Sequence, residues 1–146
     1  MKKILIAAAL FLSMSAFATP ENVTVNEKVL TAFNQVFKNA QQAVWHEENN
    51  RFEVQFRQDE TTVKVLYDAE GNMLESLRYY NEAQLPMLIR AKLKKEFAGK
   101  TVFGVTEHAA NNEVVYHITL QDEKNWTMVV ADSGANLQVE KKYKKA

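Results

Sequence analysis

Hydrophobic residues along the chain follow two periods in turn. Leu30, Phe33, Val36, Phe37 and Ala40 fall three or four apart, the spacing of one helical face, and Asn26 stands where a helix cap belongs. The period then drops to two, with Phe52, Val54 and Phe56 alternating with Arg51, Glu53, Gln55 and Arg57. That alternation predicts a strand with one buried face and one wet face. Strands are predicted at 43–48, 51–57, 61–68 and 72–80. Asn49-Asn50 forms a two-residue hairpin turn, and YDAEGNML (67–74) supplies the last turn.

The same order then recurs. Leu85, Leu88, Ile89, Leu93 and Phe97 mark a second helical face, preceded by Asn81 or Gln84. Pro86 is tolerated in a first turn because its missing N–H would have no intrahelical partner, and Gly99 supplies a left-handed stop. Strands follow at 101–108, 113–120, 125–132 and 136–143, with turns at Asn111-Asn112 and around Gly134. Phe37 matches Phe97, Phe56 matches Ile118, Asp68 matches Asp132, Gly71 matches Gly134 and Leu74 matches Leu137, at offsets of 60 to 64 residues. The expectation is an α+β fold of tandem duplicated α-β-β-β-β units, residues 19–80 and 81–146. Their antiparallel meander sheets would carry both helices on one face and leave the other open. The face of the fourth strand stays undecided, since Met73, Leu77 and Tyr79 compete with Leu74 and Tyr80; a β-bulge would reconcile them.

Several of these segments resemble a known pattern: Trp45, FEVQF (52–56), YDAEGNML (67–74) and QLPMLIRAKLKKEF (84–97). Together they are similar to the exported bacterial PepSY-like family with a beta-lactamase-inhibitor-protein-like fold, of the Bacteroidota type. The resemblance runs from Glu21 to Lys142 as one PepSY-like module. It implies a curved sheet whose uncovered face is available to a partner, as in relatives where that face clamps an enzyme, and it implies no catalytic activity. Ala98-Gly99 departs from the proline-glycine often found there in relatives.

The first residues change the picture of where the chain works. Met1-Lys2-Lys3, an apolar run from Ile4 to Met14 and small residues at Ala16 and Ala18 have the form of a secretory signal peptide cleaved after Ala18. The run is too short to span a bilayer, and the absence of cysteine excludes a lipid anchor, so a periplasmic or extracellular product is expected. Loss of Lys2 and Lys3 leaves sixteen Lys and Arg against 18 Asp and Glu, a net charge of −2 with nothing to recruit nucleic acid. The lysine-rich KKYKKA (141–146) reads as a frayed, solvated end.

Candidate chemistry is sparse. Beyond the leader the chain has only Ser76 and Ser133 as serines, neither in a nucleophile elbow, and its 4 glycines are scattered singly, so neither an acyl-transfer site nor a phosphate cradle is expected. The chain is therefore read as a non-enzyme with no cofactor. With Asn111-Asn112 as a two-residue turn, position 108 faces 115 and 106 faces 117, making His108 and His117 diagonal neighbours without a third metal ligand. Asp68, Glu70 and Asn72 have the first spacings of a calcium loop, but Gly71 stands fourth and Tyr79 occupies the twelfth position, so a turn is favoured over a weak calcium contact. The binding candidates for the open face are Trp45, Tyr80 and Trp126, with Arg57 and Lys64. The function expected is binding of another protein or peptide; the alternative is a small-ligand or calcium-binding periplasmic module. Exposed outer strands make the chain a monomer or a weak dimer.

Overall fold

The computed structural model describes residues 23–146; the predicted leader and its cleavage point lie outside the described residues. Helix α1 (Glu27–Val36) precedes strands β1 (Gln41–Glu48), β2 (Arg51–Gln58), β3 (Thr61–Asp68) and β4 (Met73–Tyr80). A short 3-10 turn (Glu82–Gln84) leads into α2 (Met87–Glu96) and strands β5 (Thr101–Ala110), β6 (Glu113–Gln121), β7 (Asn125–Asp132) and β8 (Leu137–Lys144).

Local signals set these boundaries. Asn26 caps α1 by accepting the Val29 N–H at 3.0 Å, and its amide nitrogen donates to the Ala69 carbonyl at 2.9 Å, which ties the helix to the β3–β4 turn. Asn81 and Gln84 form a reciprocal capping box around the 3-10 turn, and Pro86 sits at the cap of α2, one position earlier than expected. Gly99 adopts φ of 83° beyond the helix end. Asn49-Asn50 and Asn111-Asn112 are both left-handed pairs, the backbone that two-residue hairpins require.

The strands form one eight-stranded antiparallel sheet in sequence order. This corrects the expectation of tandem duplicated α-β-β-β-β units with meander sheets of their own. β4 pairs with β5 from Glu75↔Ala110 to Tyr80↔Val105, so the ladder runs unbroken through the presumed boundary at residue 80. The physical reason is edge satisfaction: two separate meanders would leave two further rows of backbone N–H and C=O groups unpaired. Hydrophobic period reports which face a strand buries and is blind to which strand lies beside it. The match of Gly71 with Gly134 is corrected too. In the second turn the left-handed position belongs to Ala135 (φ 59°), which is fully buried.

Both helices lie on the same face of the sheet. Val29 and Phe33 of α1 pack with Phe52, Val54, Phe56, Val63, Val65 and Tyr67. Leu85 and, from α2, Ile89 and Leu93 pack with Tyr80, Val105, Ile118, Leu120 and Val129. The undecided fourth strand is settled by a bulge: Leu66 pairs with Glu75 but Tyr67 with Met73, leaving Leu74 unpaired. From there Ser76, Arg78 and Tyr80 turn toward the helices, and Glu75, Leu77 and Tyr79 turn away.

Candidate protein-binding face

Strand register distributes the remaining side chains on the helix-free face. In the first half this face is ionic. Arg51, Glu53, Gln55 and Arg57 of β2 lie beside Asp68, Leu66, Lys64 and Thr62 of β3. Lys64 reaches Glu53 at 2.9 Å, and that hydrogen bond holds the lysine pKa above its ordinary value. At the centre His108 lies 3.0 Å from Glu75, and His117 lies 4.0 Å from Glu140. The predicted diagonal of the histidines is present, with His108 opposite Val115 and Thr106 opposite His117. Among the described residues no group of three metal-ligating side chains forms.

Toward the far end of β5 to β8 the face becomes aromatic. The register slips between Val102 and Gly104, and the bulged residue, Phe103, stands 64% exposed. Its ring meets Trp126 edge-on at 4.9 Å. Trp126 pairs across the strands with Tyr143, which is 48% exposed. The Lys145 ammonium sits 4.5 Å from the centre of the Trp126 ring and donates to Gln121 at 3.0 Å. The lysine-rich terminus is thus built into β8 and pinned to this cluster, which corrects the reading of KKYKKA as a frayed end. Such a cluster can present amphipathic rings, with few rotatable bonds, to a partner.

Arg57, Lys64 and Trp126 stand on this face. Trp45 and Tyr80 do not. Trp45 pairs with Val54, a core residue, and its ring meets Phe33 at 5.2 Å, so it completes the buried aromatic group beneath α1. Tyr80 is 7% exposed on the helix side, where its hydroxyl donates to Glu107 at 2.5 Å. Burial, reinforced by that hydrogen bond, drives its pKa well up. Asp68, Glu70 and Asn72 make a turn in which protein donors occupy the carboxylate. Asp68 accepts the N–H groups of Glu70 at 3.0 Å and Asn72 at 2.9 Å, and the Asn72 side-chain amide at 2.8 Å, which chiefly holds its pKa low. A Cβ on Gly71 would lie 2.8 Å from the Lys28 carbonyl oxygen, so the glycine lets this turn sit against α1. Phe103 was missed as a contact because an aromatic at strand spacing reads as core. The signal that could have found it is the glycine beside it, a frequent mark of a bulge.

No protein-family model and no curated protein sequence matches the chain. Solved structures do. A BLIP-like protein from Bacteroides fragilis superposes with a TM-score of 0.65 at 18% identity, over 86% of this chain and 92% of that one. DUF2874 family proteins from Bacteroides ovatus and Bacteroides uniformis give TM-scores of 0.61 and 0.60 at 13% and 11% identity. They cover 84% and 83% of this chain and 89% and 90% of theirs. At these identities the likeness is one of fold, and the chain has a BLIP-like fold. No helix among the described residues is long and apolar enough to cross a membrane.

Proposed function

We propose that this chain is a non-enzymatic, exported protein of the PepSY-like kind that binds another protein or peptide through the helix-free face of its sheet. The observation that carries the reading is the Phe103–Trp126–Tyr143 cluster. Two exposed rings packed about a half-buried tryptophan on rigid strands, rimmed by charged groups, are the composition of an interface hot spot, where a few aromatic residues supply most of the binding energy. The BLIP-like fold of a neighbouring structure and the leader-like first residues support the same reading. The ionic first half, with Arg57 and the Lys64–Glu53 pair, supplies orientation more than affinity.

The test is retention of a partner from a periplasmic extract on the immobilised mature chain. Phe103→Ala and Trp126→Ala should each weaken retention by about 2 kcal/mol, roughly thirtyfold, while Met87→Ala on the helix side leaves it unchanged. Equal retention by all three variants would remove the face from the account.

A further inference from the structure

The sheet has two free edges, β1 and β8, since each pairs with one neighbour only. They differ in regularity and in charge. β1 breaks its register between Gln41 and Val44, with Gln42 at φ of 55°, and its charged residues are Glu47 and Glu48. β8 is irregular only at Glu140. Beyond it residues 141–144 pair in an unbroken row with residues 125–128, and the Lys145 N–H continues that row to the Lys124 carbonyl at 2.8 Å. That last bond fixes which backbone groups are free, because opposite residues of an antiparallel pair alternate between exchanging hydrogen bonds and not. Lys145, Tyr143 and Lys141 bond to β7, so the N–H and C=O groups of Lys142 and Lys144 point outward. Their side chains lie on the helix side, opposite Thr127 and Asn125, whereas Tyr143 lies on the helix-free face beside Trp126. Lys141, Lys142 and Lys144 are exposed and make no ion pair among the described residues.

We propose that β8 takes an extended acidic segment of a partner protein as a ninth, antiparallel strand, with an apolar residue opposite Tyr143 and a carboxylate on either side of it. The inference rests on the binding face proposed above and names how a partner reaches it. The outward N–H and C=O groups of Lys142 and Lys144 supply the main-chain hydrogen bonds of strand addition. Side chains alternate across a strand, so the residue opposite Tyr143 extends the row of Trp126 and Tyr143 on the helix-free face. Its two neighbours fall beside Lys142 and Lys144 on the helix side, where carboxylates meet unpaired ammonium groups. Edge lysines ordinarily ward off other strands, and here they ward off a second copy of this chain. β8 against β8, centred on Tyr143, sets Lys142 against Lys144. β1 in full antiparallel overlap brings Gln41 to Lys144 and Glu47 only to Gln138. A separate acidic strand meets neither conflict.

Calorimetric titration of the mature chain with the peptide acetyl-Thr-Glu-Phe-Glu-Thr-amide tests this. The peptide should bind saturably, and the same peptide with lysine in place of both glutamates at least about tenfold more weakly. N-methylation of the two glutamate amides, whose N–H groups face β8, should also weaken binding at least about tenfold. N-methylation of the phenylalanine amide, whose N–H points away, should change it by less than about twofold. The double variant Lys142→Glu, Lys144→Glu alters only exposed side chains and should abolish binding at an unchanged melting temperature. The proposal is overturned if the peptide does not bind, if charge reversal or glutamate N-methylation leaves its affinity unchanged, or if the double variant binds it normally. Retention of a partner from a periplasmic extract separates this proposal from the one it rests on. Retention lost in Trp126→Ala but kept in the double variant overturns strand addition and leaves the aromatic face standing.

Discussion

Trp45 and Trp126 occupy opposite faces of one sheet, the first packed beneath α1 and the second on the helix-free face. In the first half of the molecule aromatic rings fill the core: Phe33 meets Phe56 at 5.1 Å, Trp45 at 5.2 Å and Phe37 at 5.5 Å. In the second half the helix-side core is largely aliphatic, built on Leu85, Ile89, Leu93, Val105, Ile118, Leu120 and Val129. Here Phe103, Trp126 and Tyr143 are placed on the other face. One ten-residue helix covers each core, so the difference lies in where the rings go. Aromatic content alone therefore does not say whether a ring is core or surface; the face does, and register together with bulges sets the face.

The largest test of that contrast is in the cores. Phe33→Ala removes a ring with three aromatic neighbours and should cost roughly 4 kcal/mol, against roughly 3 kcal/mol for Leu93→Ala in the aliphatic core. Denaturant unfolding of the two variants measures this, and a Leu93→Ala cost equal to or above that of Phe33→Ala would break the contrast.

A smaller effect of opposite sign is expected at Tyr67. It is 1% exposed in the aromatic core, and its hydroxyl has no hydrogen-bond partner among the described residues. Tyr67→Phe should stabilise the fold by about 1 kcal/mol at neutral pH. Burial also pushes the phenol pKa up to about 12. Because the folded value lies above the unfolded value of about 10, this stability is intact below pH ~10 and is lost as pH rises toward 12. Thermal melts between pH 9 and 12 should show less alkaline loss in Tyr67→Phe than in the parent.

The smallest expected differences separate the two aspartate turns. Asp132 accepts well-formed hydrogen bonds from Asn136, through its backbone N–H at 2.9 Å and its side-chain amide at 2.7 Å, with the Gly134 N–H a weaker contact, whereas Asp68 has an extra well-formed donor in the Glu70 N–H at 3.0 Å. Both carboxylates are held below their ordinary pKa, chiefly by the asparagine amide four residues on. Stability from them is therefore present above the unfolded value of about 4 and lost as pH falls through the depressed folded value. Asp68→Asn should lower the melting temperature at pH 7 more than Asp132→Asn, and both differences should vanish in strong acid. Equal shifts, or shifts that persist in acid, would remove the extra donor as the distinction.

Period and turn chemistry made the elements legible. Asparagine pairs marked two hairpins, Asn26 marked the first helix, and the alternation of 51–57 named the helix-free face of β2 correctly. The joining of β4 to β5 was not legible, because pairing of edges leaves no trace in a single strand's pattern. Among the site candidates Arg57 was placed by alternation, while Lys64 and Trp126 needed the register of β3 and β7 to put them on that face. Trp45 was misplaced because its strand carries only weak alternation, and Tyr80 because the bulge at Leu74 fixes the parity of β4. Phe103 needed knowledge of its own bulge, between Val102 and Gly104, which moves one ring out of an otherwise regular strand.

The proposed interaction puts a partner on the aromatic cluster of the helix-free face. Site-specific photocrosslinking in a periplasmic extract tests it most directly, with a photoreactive residue at position 103 and, as control, at position 87 on the exposed side of α2, where Met87 is 77% exposed. A discrete protein adduct from position 103 that is absent from position 87, and that disappears in Trp126→Ala, is the predicted result. Adducts from both positions alike, or one that survives Trp126→Ala undiminished, would contradict it.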